Sequence, residues 1–180
     1  VIEKLNITSF DSVQILCYKE EMDIQDADAA TLITLLHIRK ILDDESKDIK
    51  VVSQMLDAKN RALASITKAD DFIVSDKLIS LLMSQVSENK FLMKVFESLF
   101  EAEGSEIYLK PVTEYISHDE PVDFYTIIES ARRKGHTAFG YRLEHLAEDS
   151  TAAFGIQVNP NKSTKIQFNS NDKIIVLAEN

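Results

Sequence analysis

A chain of 180 residues with 44% hydrophobic content holds enough apolar material for one sizeable core or two small lobes, so disorder is not expected. Thirty acidic against twenty basic side chains leave a formal charge of −10, which excludes a general nucleic-acid or anionic-lipid surface and leaves cation binding open. The single cysteine, Cys17, excludes an internal disulfide and a thiolate metal cage, and no apolar run approaches the ~18 residues that cross a bilayer.

The first strong signal is DSVQILCY at 11–18, apolar and β-rich, which predicts a buried strand with Cys17 as a small hydrophobe inside it. The acidic stretch KEEMDIQDAD follows as a loop. Residues 27–42 then place Ala30, Ile33, Leu36 (with Leu32 and Leu35), Ile38 and Ile41 at helical spacing, with acidic residues before them and Arg39 and Lys40 near the end, which suits the helix dipole. A second strand is expected over 49–56, a short helix near 57–65, a third strand over 71–74 and a long helical region from 77 to about 102. Strands separated by helices are the pattern of parallel βαβ units. The chain opens on Val1 rather than methionine and carries no basic-then-apolar leader, so it is expected to be a fragment.

Beyond Glu103-Gly104-Ser105 the pattern changes. Strands are expected at 106–110, extending toward 116, then a helix at 124–134 ended by Gly135, and strands at 136–143, 165–168 and 173–178, with 144–162 irregular. Asn169-Ser170-Asn171-Asp172 has the residue types of a tight turn, predicting a hairpin between the last two strands. The fold class is therefore α/β: a partial doubly wound, Rossmann-like parallel sheet followed by a small α+β C-terminal lobe.

None of the four glycines (Gly104, Gly135, Gly140, Gly155) forms the glycine-rich turn that lets backbone amides approach a pyrophosphate. No serine lies in a nucleophile elbow, and the four histidines form no i, i+4 pair, so catalysis has no sequence support. The acidic loop after the first strand is the candidate site. Glu20, Glu21, Asp23, Asp26 and Asp28 fall where a strand's carboxyl end meets a helix N-terminus, the edge at which open α/β sheets bind ligands. Their oxygens suit Ca²⁺ or Mg²⁺; equally, they suit the helix terminus itself, with Asp26 or Asp28 as its cap. The long helical region is apolar beyond the needs of a modest sheet, and Phe91, Met93, Phe96 and Phe100 are its candidates for contact with a second copy.

SFDSVQILCY (9–18), DADAATLITLLHIRK (26–40), VVSQMLDAKNRAL (51–63), ADDFIVSDKLISLLMSQVSENK (69–90) and VFESLFEAEGSEIYLKP (95–111) occur in an order that resembles the cytosolic domains of Castor/Pollux-type ion channels. These are related to regulator-of-potassium-conductance (RCK) domains. FYTIIESARRKGHTAFGYRL (124–143), Pro160 and SNDKIIVLA (170–178) look like that family's C-terminal subdomain. The resemblance implies that 1–116 is the second half of a Rossmann-like RCK lobe and 117–180 an RCK-type C-terminal subdomain. It implies a non-catalytic domain on the cytoplasmic face of a membrane, following a membrane pore, assembled with other copies as a dimer or tetrameric gating ring and rearranged by a ligand. Ca²⁺ is the ligand it suggests, at Asp28 with Asp26, Glu21 and Asp57. Asp28 matches an acidic position of related calcium-gated channels, whereas the partner positions fall near Gln54 and Leu56, beside Asp57. A soluble regulatory subunit of a potassium-uptake system and a fragment of an NAD-dependent oxidoreductase are the rival readings.

Overall fold

A computed structural model describes residues 2–18, 22–47, 49–60, 71–101, 103–117, 120–147 and 149–179. Packing divides the chain into two units, Val1–Lys90 and Phe91–Asn180, each with its own core.

The first unit is a three-stranded parallel sheet in the order β1 (Ser12–Ile15), β2 (Lys50–Met55), β3 (Asp71–Val74), with α1 (Ile24–Asp44) crossing from β1 to β2. In β2, Val51, Ser53 and Met55 are buried while Val52 and Gln54 are only half-buried, the two-residue period of a strand with unequal faces. Helix α1 buries Thr31, Leu35, Ile38 and Leu42 at successive steps of four, three and four residues, one stripe laid on Ile15, Ile49 and Val51. Burying each of these large aliphatic side chains is worth about 1.5–3 kcal/mol. At its start the Asp23 carboxylate accepts the Asp26 N–H at 2.9 Å, so the cap is Asp23 and neither Asp26 nor Asp28. Its end is a Schellman turn: Lys47 donates its N–H to the Leu42 carbonyl and Ser46 to that of Asp43, with Ser46 left-handed at φ 51°.

Strand β1 ends at Ile15, sooner than the apolar run suggested, because β2 pairs with it only from Ser12 to Ile15; Leu16 beyond it is 77% exposed. Of the expected short helix, 58–60 form one 3₁₀ turn, and 61–65 lie outside the described residues. Helix α2 (Ser75–Glu88) closes the unit, its chain turning extended at Asn89.

The second unit begins with α3 (Leu92–Phe100) and builds a four-stranded antiparallel sheet in the order β4 (Glu106–Pro111), β9 (Lys173–Ala178), β6 (Thr137–Arg142), β7 (Ile156–Val158). Residues 91–116, placed with the first lobe by the sequence reading, thus pack with the second unit through the β4–β9 ladder. Helix α4 (Phe124–Arg133), capped by the Asp123 carboxylate, packs Phe124, Ile127 and Ala131 against Val112, Phe168, Ile174 and Val176.

The last two strands do not form a hairpin. β8 (Lys165–Ile166) pairs with β5 (Val122–Asp123), and β9 lies between β4 and β6. The tight turn at 169–172 is present, Asp172 donating its N–H to the Asn169 carbonyl at 3.0 Å. Asp172, fully buried, also accepts the N–H groups of Glu144 (2.8 Å) and Asn169 (2.7 Å), pinning the entry of β9. The stretch 144–162 contains β7 and a turn in which Gly155 has φ 78°; a Cβ there would meet the Leu143 carbonyl oxygen at 2.2 Å, so only glycine fits. His136 accepts or donates one ordinary hydrogen bond, to the Tyr115 hydroxyl at 2.9 Å, and burial pushes that phenol up to about 12.

Candidate functional site

Asp28 lies one turn into α1 with 2% of its surface exposed, at the carboxyl end of the parallel sheet. Its Oδ1 accepts the Leu56 N–H at 2.8 Å and faces the Cys17 thiol at 3.6 Å. Oδ2 accepts the Asp57 N–H at 3.0 Å and the Asn60 side-chain amide at 2.7 Å. One carboxylate thus ties α1 to the chain leaving β1 and to the chain leaving β2. Burial pushes the Asp28 carboxyl up, but the Leu56 N–H, the Asn60 amide, the Asp57 N–H and the Cys17 thiol together outweigh it and hold the group below the usual carboxylate range. Burial raises the Cys17 thiol, a hydrogen bond with Thr31 opposes it, and the neighbouring Asp28 carboxylate adds to the rise, which prevails.

Two depressions flank this end of the sheet. One, of about 120 Å³, is lined by Gln25, Asp28, Ala29, Leu32, Met55 and Asn60. The other, of about 280 Å³, lies against Gln14, Leu16, Val52, Gln54, Ile73 and Ser75. Gln54 spans the second one: its Oε1 accepts the Cys17 N–H at 3.2 Å and its Nε2 donates to Ser75 Oγ at 2.6 Å.

Of the candidate cation residues, Asp28 and Asp57 are brought together, but through the Asp57 backbone. The Asp57 carboxylate accepts the Lys59 N–H at 2.9 Å and the Gln25 amide at 3.4 Å. Asp26 is exposed on the first turn of α1, and Glu21 lies outside the described residues. Among the described residues no three His, Cys, Asp or Glu side chains are grouped as a metal would need. Asn60, Cys17 and the two backbone donors are the residues that sequence reasoning missed. Cys17 was read as a packed hydrophobe, and nothing in its spacing announces a thiol facing a carboxylate.

The apolar candidates are on the surface of their own helix. Phe91 is 69% and Phe100 65% exposed, Met93 is exposed, and Phe96 is half-buried with its ring stacked on Phe100 at 6.4 Å. Neither α2 nor α3 buries a residue fully, and Leu78, Ile79, Leu81 and Met83 of α2 are exposed as well.

No protein-family model matches the chain. Whole-sequence comparison does find relatives. A probable ion channel POLLUX of Oryza sativa subsp. japonica is 29% identical over 98% of this chain, and ion channel DMI1 of Medicago truncatula is 29% identical over the same share. Ion channel CASTOR of Lotus japonicus is 28% identical over 99%. The chain is homologous to Castor/Pollux-type ion channels. It spans about a fifth of their length, 20%, 23% and 23% of these three. Solved structures similar to it include the GsuK RCK domain, at a TM-score of 0.39 and 11% identity over 98% of this chain and 32% of that one. The GsuK channel bound to NAD also matches, at a TM-score of 0.39 and 13% identity over 98% and 26%. Among the described residues no helix is long and apolar enough to cross a membrane.

Proposed function

We propose that the chain is a non-catalytic regulatory domain of a Castor/Pollux-type cation channel, working at the cytoplasmic face of the membrane by associating with other copies of itself into a dimer or ring. The observation that carries this reading is the pair of amphipathic helices α2 and α3, neither of which buries a residue fully. Helices that short do not hold their shape on propensity alone; they need an apolar face packed against something. A second copy supplies a matching face, because a two-fold interface joins one patch to itself. Gating then follows as a population shift between arrangements of the assembly, driven by a ligand that favours one of them. The similarity to ion channels along nearly the whole chain supports the same reading.

Substitution at Phe96 tests it. Phe96→Asp places a charge on the α3 face without removing a buried core side chain, so cooperative thermal unfolding of the two cores is expected to be kept, with circular dichroism losing at most the helix that association supports. Self-association measured by sedimentation equilibrium is expected to weaken about tenfold or more. Unchanged association would remove α3 from the interface, and loss of folding would place Phe96 in a core instead.

A further inference from the structure

The acidic position at Asp28 is where the channel resemblance suggests calcium, and the donor set around it decides whether the described residues fit that ion. Ca²⁺ is held by about six to eight oxygens at roughly 2.3–2.6 Å, each offering a lone pair. A carboxylate has about four lone-pair positions. At Asp28 each oxygen already faces two donors: Leu56 N–H and the Cys17 thiol on Oδ1, Asp57 N–H and the Asn60 amide on Oδ2. Atoms that point hydrogens at the carboxylate form a surface that attracts an anion and repels a cation. The two positions where partner carboxylates would fall hold Gln54, whose amide is engaged by Cys17 and Ser75, and Leu56, which donates its N–H to Asp28. Asp57 turns its own carboxylate to Lys59 and Gln25. These residues do not fit calcium.

We infer that Asp28 is a hydrogen-bonded clamp standing where a calcium ligand would stand, holding α1 to the exits of β1 and β2 without a cation. Its regulatory consequence rests on the proposed function: a ligand that rearranges the assembly acts at a place other than Asp28. The clamp itself stands on the four contacts alone.

Thermal melts of the chain with and without millimolar CaCl₂, paired with calorimetric titration of Ca²⁺ alone, test it on wild type, Asn60→Ala and Asp28→Asn. The wild-type midpoint is expected to stay unmoved by calcium, and Asn60→Ala to lower it by about 2–4 °C with calcium present or absent. A calcium-induced rise that survives in Asp28→Asn also supports the clamp, because the ion then binds elsewhere. A rise in wild type that Asp28→Asn abolishes overturns it. Should Asp28→Asn not fold, Asn60→Ala decides, since it keeps the carboxylate: a midpoint equal to wild type overturns the clamp. None of these outcomes alters the association measured on Phe96→Asp, so the two readings fail separately.

Discussion

Two buried polar side chains on the α1 side of the sheet meet opposite fates. Asp28 has its carboxylate surrounded by donors, whereas Ser53, at the middle of β2 and fully buried, has a hydroxyl with no hydrogen-bond partner among the described residues. A buried hydroxyl left without a partner costs about 1–3 kcal/mol relative to a satisfied one, while removing it leaves a small apolar side chain in an apolar setting. Ser53→Ala is therefore expected to stabilise the first unit by about 1 kcal/mol, read as a higher denaturant midpoint with unchanged slope. A loss of stability would mean that the hydroxyl makes a contact worth more than its burial costs.

At the scale of the element, α1 shows what a sequence reveals and what it conceals. Its helical character, its acidic start and the strands on either side follow from local chemistry, and the structure has all of them, but the buried stripe runs through Thr31, Leu35, Ile38 and Leu42 and leaves Ala30, Ile33 and Leu36 of the expected one exposed. Its ends were less legible. Asp23, not Asp26 or Asp28, makes the cap, since three acidic residues within six positions are equivalent until backbone geometry chooses one. The Schellman turn was hidden because the left-handed position carries Ser46 instead of the usual glycine. Ser46→Gly relieves that strain, and it is expected to stabilise the chain by about 0.5–1 kcal/mol, measured as a shift in chemical denaturation. The same division explains the misplaced hairpin. The run of buried residues Ile174–Val176 announces a central strand, but its partners, β4 and β6, lie far away in sequence, and nothing local to 169–172 names them. The Asp28 clamp was hidden for a similar reason. Two of its four donors are backbone N–H groups, which every residue but proline has, and the other two lie 11 and 32 positions away.

For the whole molecule, two opposing quantities would govern the proposed assembly: a charge of −10 on each copy and the exposed apolar side chains of α2 and α3. Like-charged copies repel, and the repulsion is screened as the Debye length falls from roughly 10 Å at 0.1 M salt toward 3 Å at 1 M. Burial of apolar surface is not weakened by sodium chloride in the same way, because it draws on the release of that surface from water and not on attraction between ions. Association through the helices is therefore expected to tighten as NaCl is raised from about 50 mM to about 500 mM, with the dissociation constant from sedimentation equilibrium falling across the series. Intermolecular ion pairs would give the opposite trend, since salt screens attraction as readily as repulsion. The Phe96→Asp chain separates the two further. With the apolar face interrupted and one more negative charge added, its association stays weak even where salt has removed most of the repulsion. Recovery of wild-type affinity in high salt would instead assign the defect to charge and leave the α3 face without a part in the interface.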